Sequence, residues 1–158
     1  MRYLKEPCES NRFHAAHVLI LRESLRKLVG QELVPPDLND LDAARFLFEA
    51  PFSVVSHNTD PDPIFNYANR KAMDLFDMDW NAITSLPSRL SAEVVNRDER
   101  ARVLKTVSEH GYIHDYSGVR ISSSGRRFNI SDAVLWNLLD EQSAYAGQAA
   151  MFDSWTFV

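Results

Sequence analysis

Five histidines, one cysteine and a few close-set carboxylates are the side chains in this 158-residue chain that could ligate metal or attack a carbon. His14 and His17 stand three apart on a predicted helix and can share a face. Two ligands do not close a zinc site, so this pair reads as solvated helix surface. His110, His114 and Asp115 are near neighbours, but Gly111 ends a helix between them and no helical face joins them. "TDPDP" (59–63) offers two carboxylates without a third ligand, which fits a capping turn better than a calcium site. Cys8 is the only cysteine, so neither a disulfide framework nor a thiolate metal site can be built. The catalytic spacings G-x-S-x-G and H-E-x-x-H are absent, and five glycines form no phosphate-cradling loop. The residues predict no metal and no catalytic constellation.

Bulk composition narrows the partners. The apolar fraction is 45% and the aromatic fraction 11%, enough for a packed core. A net charge of −5 with no Lys/Arg run argues against a nucleic-acid backbone as partner. The opening "MRYLKEPCESNRF" has no apolar run, and no segment approaches the roughly 20 apolar residues of a membrane span, so a cytoplasmic protein is expected.

The positioning elements follow from periodicity. Residues 10–33 predict a helix, capped by Ser10 or Asn11 and stopped near Gly30, with Val18, Leu21, Leu25 and Leu28 as one apolar stripe. "VPPDLND" breaks it, and Asn39 or Asp40 starts a second helix with Leu41, Ala44, Leu47 and Phe48 on one side. "FSVVS" reads as a strand. In "IFNYANRKAMDLF" (64–76) a period of two becomes a helical period at Asn69, the predicted cap. "NRDERARVLKTVSEHG" is a long helix, with Val103, Leu104 and Val107 inward and Gly111 as its stop. Three long strands follow, joined by the short turns "SSG" and "DEQSA". On the first, Tyr116, Gly118 and Arg120 share a face; on the second, Phe128, Ile130, Val134, Trp136 and Leu138 share a phase interrupted only at Asp132. This order predicts an α+β domain: a five-stranded antiparallel sheet, with the central helices on one face.

The "YANRKAMDLF" joint, the long helix and the closing three strands resemble a PAS domain. A closer resemblance is to the MEKHLA family, a PAS-like group of free-standing bacterial proteins and plant homeodomain-leucine zipper factors. It is carried by "PFSVVSHNTDPDPIFNYANRKAMDLFDMDW", "LPSRLSAE", "NRDERARVL", "DYSGVRISSSGRRF", "VLWNLLDE" and "YAGQAAMF". These run from about residue 38 to 155, which suggests a helical extension over 1–37 and a PAS-like domain over 38–158. The resemblance implies a free-standing bacterial member and a non-catalytic sensory or interaction module, holding a small ligand between sheet and helices. The alternative is a small hydrolase or isomerase of small acids in the same pocket.

No cofactor is expected. Flavin photosensors of the PAS superfamily need a cysteine in the helix after the joint, where this chain has the cysteine-free "MDWNAITSLPSRLSAE". Haem sensors often use a histidine on the long helix; His110 reads better as a surface residue favoured by the helix dipole. The expected pocket residues are Arg89, meeting an anionic group, with Tyr116 and Trp136, and Asn96 and Arg120 beside them. The competing reading has Trp136 as core and Arg89 paired with Glu93 or an acid of "RDER", and it is favoured because strand aromatics are usually core. PAS-like domains commonly dimerise through a leading helix, so the resemblance implies a homodimer built on Val18, Leu21, Leu25 and Leu28, against the alternative of a helix folded back over its own sheet.

Overall fold

The leading chain turns left-handed before it becomes a helix. In the computed structural model, which describes residues 5–158, Arg12, Phe13 and His14 have φ of 56°, 52° and 57°. Left-handed backbone costs an L-residue about 1–2 kcal/mol, and two contacts hold it. Phe13 packs at 6.3 Å from Phe48, and His14 Nε2 donates to the Lys5 carbonyl at 2.7 Å. The first α-helix, α1 (Ala15–Val29), therefore starts five residues later than periodicity predicts, and Gly30 closes it in the left-handed conformation expected of a C-cap. Helix α2 (Asp40–Glu49) starts at Asn39, whose side chain accepts from Asp42 N–H. It buries Ala43, Ala44, Leu47 and Phe48; Leu41, expected inward, is exposed.

Strand β1 (Ser53–His57) pairs with β2 (Phe65–Ala68), and β2 passes into α3 (Arg70–Phe76) through Asn69 with no intervening loop. Fully buried Asn69 explains that joint. Its Oδ1 accepts from Ala72 N–H as a helix cap and from Val54 N–H on β1, while its Nδ2 donates to the carbonyls of Leu47 and Phe52. One amide thus ties α2, β1 and α3 together with its donors and acceptor in use. A short α4 (Trp80–Ile83) and a 3₁₀ turn over 88–91 lead to α5 (Val94–His110), which begins two residues earlier than predicted and stops before Gly111. Val107 is buried in α5, whereas Val103 and Leu104 are half-buried.

Strands β3 (Tyr112–Ile121), β4 (Arg127–Leu139) and β5 (Tyr145–Phe152) complete an antiparallel sheet ordered β2-β1-β5-β4-β3. A sixth strand, β6 (Ser154–Phe157), resumes pairing with β4 beyond a break at Asp153, so the last predicted strand is one strand in two parts.

One irregularity decides which side chains face which layer. On β4, Ile130 stands opposite Gly118, yet Ala133 stands opposite Tyr116: three steps on one strand match two on the other. The extra residue is a bulge at Asp132, whose φ is 53°, and a compensating one lies at Asp115, φ 56°. The single apolar phase predicted for Phe128 through Leu138 is therefore split. Phe128 and Ile130 face the helices α3 and α5; Val134, Trp136 and Leu138 face the opposite side. There α1 covers them. Trp136, with no exposed surface, donates from its indole N–H to Leu21 O at 3.3 Å, and Ser24 Oγ exchanges hydrogen bonds with both backbone groups of Leu139.

Candidate functional site

The inner face of the sheet and its helical roof leave a cavity of about 50 Å³, room for a few water-sized groups. Its walls come from β1 (Val55, His57), β2 (Phe65), α3 (Phe76), α5 (Arg100, Leu104) and β3–β5 (Arg120, Leu135, Gln148, Phe152). Most are apolar. The exceptions are two arginines, a histidine, a glutamine and the serines Ser56 and Ser91, all buried.

Arg120 is directed by its own strand. Its Nη1 donates to the Val119 carbonyl at 2.8 Å and its Nη2 to Tyr116 Oη at 3.3 Å, and its guanidinium lies 5.7 Å from the centre of the Tyr116 ring. Tyr116 in turn donates to Glu99 at 3.1 Å. Gly118, between the two on β3, makes this possible: a Cβ there would stand 2.3 Å from Tyr116 Oη. Arg100 has no such support. Among the described residues it makes no hydrogen bond and meets no carboxylate. Burial, and then the charge of Arg120, draw its pKa down to about 10, so it is still a cation at neutral pH.

His57 sits on the same inward phase of β1 as Val55. Its Nδ1 donates to the Asn58 carbonyl at 3.1 Å, which leaves Nε2 as the lone-pair nitrogen; that buried atom makes no hydrogen bond of good geometry among the described residues, although the Gln148 side chain lies beside the ring. Burial holds its pKa below the usual histidine value, and Arg100 pushes the same way, against the Asn58 carbonyl and the Gln148 side chain, which favour the proton. Gln148 lies across the β5–β4 pairing from Asn137. Its Nε2 reaches Leu104 O (3.2 Å), Ser108 Oγ (3.1 Å) and Asn137 Oδ1 (3.1 Å), which clips α5 to the middle of the sheet.

Of the five pocket residues expected from sequence, Arg120 lines this cavity and Tyr116 supports it from behind. Arg89 is on the surface, paired with Asp62 at 3.0 Å, while Glu93 pairs with Arg127. Asn96 is half-buried in the first turn of α5, and Trp136 is across the sheet under α1. The three residues missed carried weak local signals. Arg100 precedes Leu104 and Val107 at four- and seven-residue steps, and His57 continues the inward alternation of Ser53 and Val55. Only the strand register brings Gln148 to them.

The helix stripe is accounted for within one chain. Val18, Leu21 and Leu25 have no exposed surface and Leu28 is half-buried near Gly111. His14 and His17, expected on solvated surface, instead face the sheet. His17 Nε2 lies 2.9 Å from Ser56 Oγ, and both rings meet Tyr67. His110 is exposed, and exposed His114 pairs with Asp115 at 2.7 Å. Among the described residues no cluster of three His, Cys, Asp or Glu side chains could hold a metal ion, and no helix is long and apolar enough to cross a membrane.

Comparison with known proteins agrees with this architecture. A family model described as the MEKHLA domain matches residues 15–157. The homeobox-leucine zipper protein ATHB-14 of Arabidopsis thaliana is 26% identical over 103 residues, and HOX32 of Oryza sativa subsp. indica is 25% identical over 150. The matches cover 65% and 90% of this chain but only 12% and 17% of those longer proteins. Among solved structures, the PAS domain of a protein from Colwellia psychrerythraea superposes with a TM-score of 0.61 at 11% identity, over 74% of this chain and 94% of that one. The fold is PAS-like.

Proposed function

Because this chain belongs to the MEKHLA domain family, we propose that it is a non-catalytic sensory or interaction module that takes a small ligand into the cavity between sheet and roof. The observation that carries this reading is the buried Nε2 of His57 on the wall of that cavity, which among the described residues makes no hydrogen bond of good geometry. A buried polar atom left unpaired costs about 1–3 kcal/mol, a cost that a ligand can remove. Occupancy would be reported through α5, because Gln148 holds both a cavity wall and the α5 carbonyl of Leu104. The enzyme alternative would want a carboxylate beside His57, and among the described residues no Asp or Glu lines the cavity.

The setting belongs to the same proposal. We take residues 38–158 as the ligand-holding PAS-like unit, residues 1–37 as a helical extension whose helix α1 covers the outer face, and a free-standing cytoplasmic protein of a bacterium as the context. The named relatives are plant proteins many times longer than this chain. A homodimer is proposed too. With most of the α1 stripe covered in a single chain, Leu19, Leu41 and Phe46 (36%, 37% and 40% exposed) are the apolar side chains that α1 and α2 offer to a second copy. Light scattering that gives a dimer mass, reduced to a monomer by Phe46→Arg, supports it; a monomer at tens of micromolar removes it.

The ligand reading is tested by native and denaturing mass spectrometry of the purified protein, with an absorbance spectrum. A mass carried by the native and lost from the denatured protein supports it. An empty native protein that no small-molecule panel stabilises against heat refutes it.

A further inference from the structure

The cavity carries more chemistry than emptiness. Arg100 and Arg120 come from opposite layers, roof and sheet, and are 9% and 7% exposed. Both line one small space, and among the described residues no carboxylate lines it with them. A buried like-charge pair is costly unless an opposite charge accompanies it. Glu99 reaches this cluster only through the Tyr116 hydroxyl, whose other contact is Arg120. Arg100 has no hydrogen bond among the described residues, and Tyr116 is the neighbour that favours its charge.

Two further features restrict the anion. The rest of the wall is mostly hydrocarbon, including Phe65, Phe76 and Leu135, which suits a ligand with a carbon skeleton better than a bare inorganic oxyanion. His57 Nε2, beside the Gln148 side chain, makes no hydrogen bond of good geometry among the described residues, so the ligand needs a donor as well as a negative charge. Resting on the ligand-holding reading above, we propose that the cavity binds a small hydroxycarboxylate, its carboxylate between Arg100 and Arg120 and its hydroxyl donating to His57 Nε2. The cavity volume of about 50 Å³ limits it to a short skeleton. Guanidinium forks match carboxylate geometry, and a hydroxyl is the smallest neutral group that can satisfy a lone imidazole nitrogen.

The probes are lactate, propionate, lactamide and inorganic phosphate, titrated into the full-length protein by calorimetry and by thermal shift. Lactate is expected to bind most tightly, with propionate and lactamide each weaker by about tenfold or more, the scale of one lost charge-assisted or buried hydrogen bond. Arg100→Met and Arg120→Met should abolish the preference for lactate over lactamide. His57→Phe should abolish the preference for lactate over propionate. A structural role for Arg100 predicts that Arg100→Met lowers the melting temperature; the proposal predicts an unchanged or higher one without ligand, since an unpaired buried charge has gone. Lactamide binding as well as lactate overturns the anion, and phosphate binding more tightly than lactate overturns the carboxylate. Equal binding of propionate and lactate overturns the hydroxyl contact. In those three cases the cavity still holds a ligand; if none of the probes binds, and no small-molecule panel does either, the underlying reading fails instead.

Discussion

Replacing Trp136 by alanine separates the two faces of the sheet. The indole has no exposed surface, sits under α1 and donates to the carbonyl of Leu21. Truncating a buried tryptophan costs about 3–5 kcal/mol, from lost transfer energy and the cavity left behind. The hydrogen bond contributes about 1 kcal/mol of that, net of water. At about 2–4 °C per kcal/mol for a chain of this length, the melting temperature should fall by roughly 10 °C. Trp136→Phe keeps most of the packing and loses the donor, so a drop of only about 1–2 kcal/mol is expected. Circular dichroism during thermal and urea unfolding measures both. Ligand affinity, titrated well below the melting range, should be unchanged in both variants, since the cavity is on the other face. Trp136→Ala melting like the parent but losing ligand would make the indole a pocket wall, and the assignment of faces through the Asp132 bulge would be wrong.

Acid should destabilise the domain through its buried histidines. Burial, and then the charge of His14, lower the His17 pKa from 6.5 to about 4, and His14 and His57 are also lowered. The folded state therefore binds fewer protons than the unfolded one, and stability is full above pH 6.5 and is lost as pH falls toward 4, by at most roughly 3 kcal/mol for His17. His17→Gln, which can keep a donor near Ser56, should flatten that slope in urea titrations at stepped pH; an unchanged slope refutes the assignment. Gly147→Ala should cost about 2 kcal/mol or more, because φ there is 122° and a Cβ would stand 2.1 Å from the His57 carbonyl oxygen; a parent-like melt refutes it. Gly118→Ala should push Tyr116 off Arg120, and calorimetry should show lactate affinity changed by about threefold or more with a smaller melting shift; unchanged affinity would mean that Tyr116 does not position Arg120.

Much of the fold is local and so was written along the chain. Asn39 and Asn69 cap because a short side-chain carbonyl reaches the N–H three residues on, and Gly30 and Gly111 stop helices because glycine accepts positive φ without strain. The order of helices and strands, with its turns, determined an α+β domain with an antiparallel sheet, and its PAS-like character came from the resemblance carried by motifs such as "YANRKAMDLF". The site was not local. Alternation assigns faces only while the register holds, and one residue inserted at Asp132 sends Trp136 to the face opposite Phe128 and Ile130. Arg89 found Asp62 twenty-seven positions earlier, and Arg100, the lesser signal on a polar helix, took the cavity. Which arginine is buried depends on where α5 lies over the sheet, and that is set by long-range contacts such as Gln148 with Leu104 and Asn137. Short-range spacing determined the elements; packing between residues distant in sequence decided which charges were sealed inside, because burial is a property of the assembled layers and of no single strand or helix.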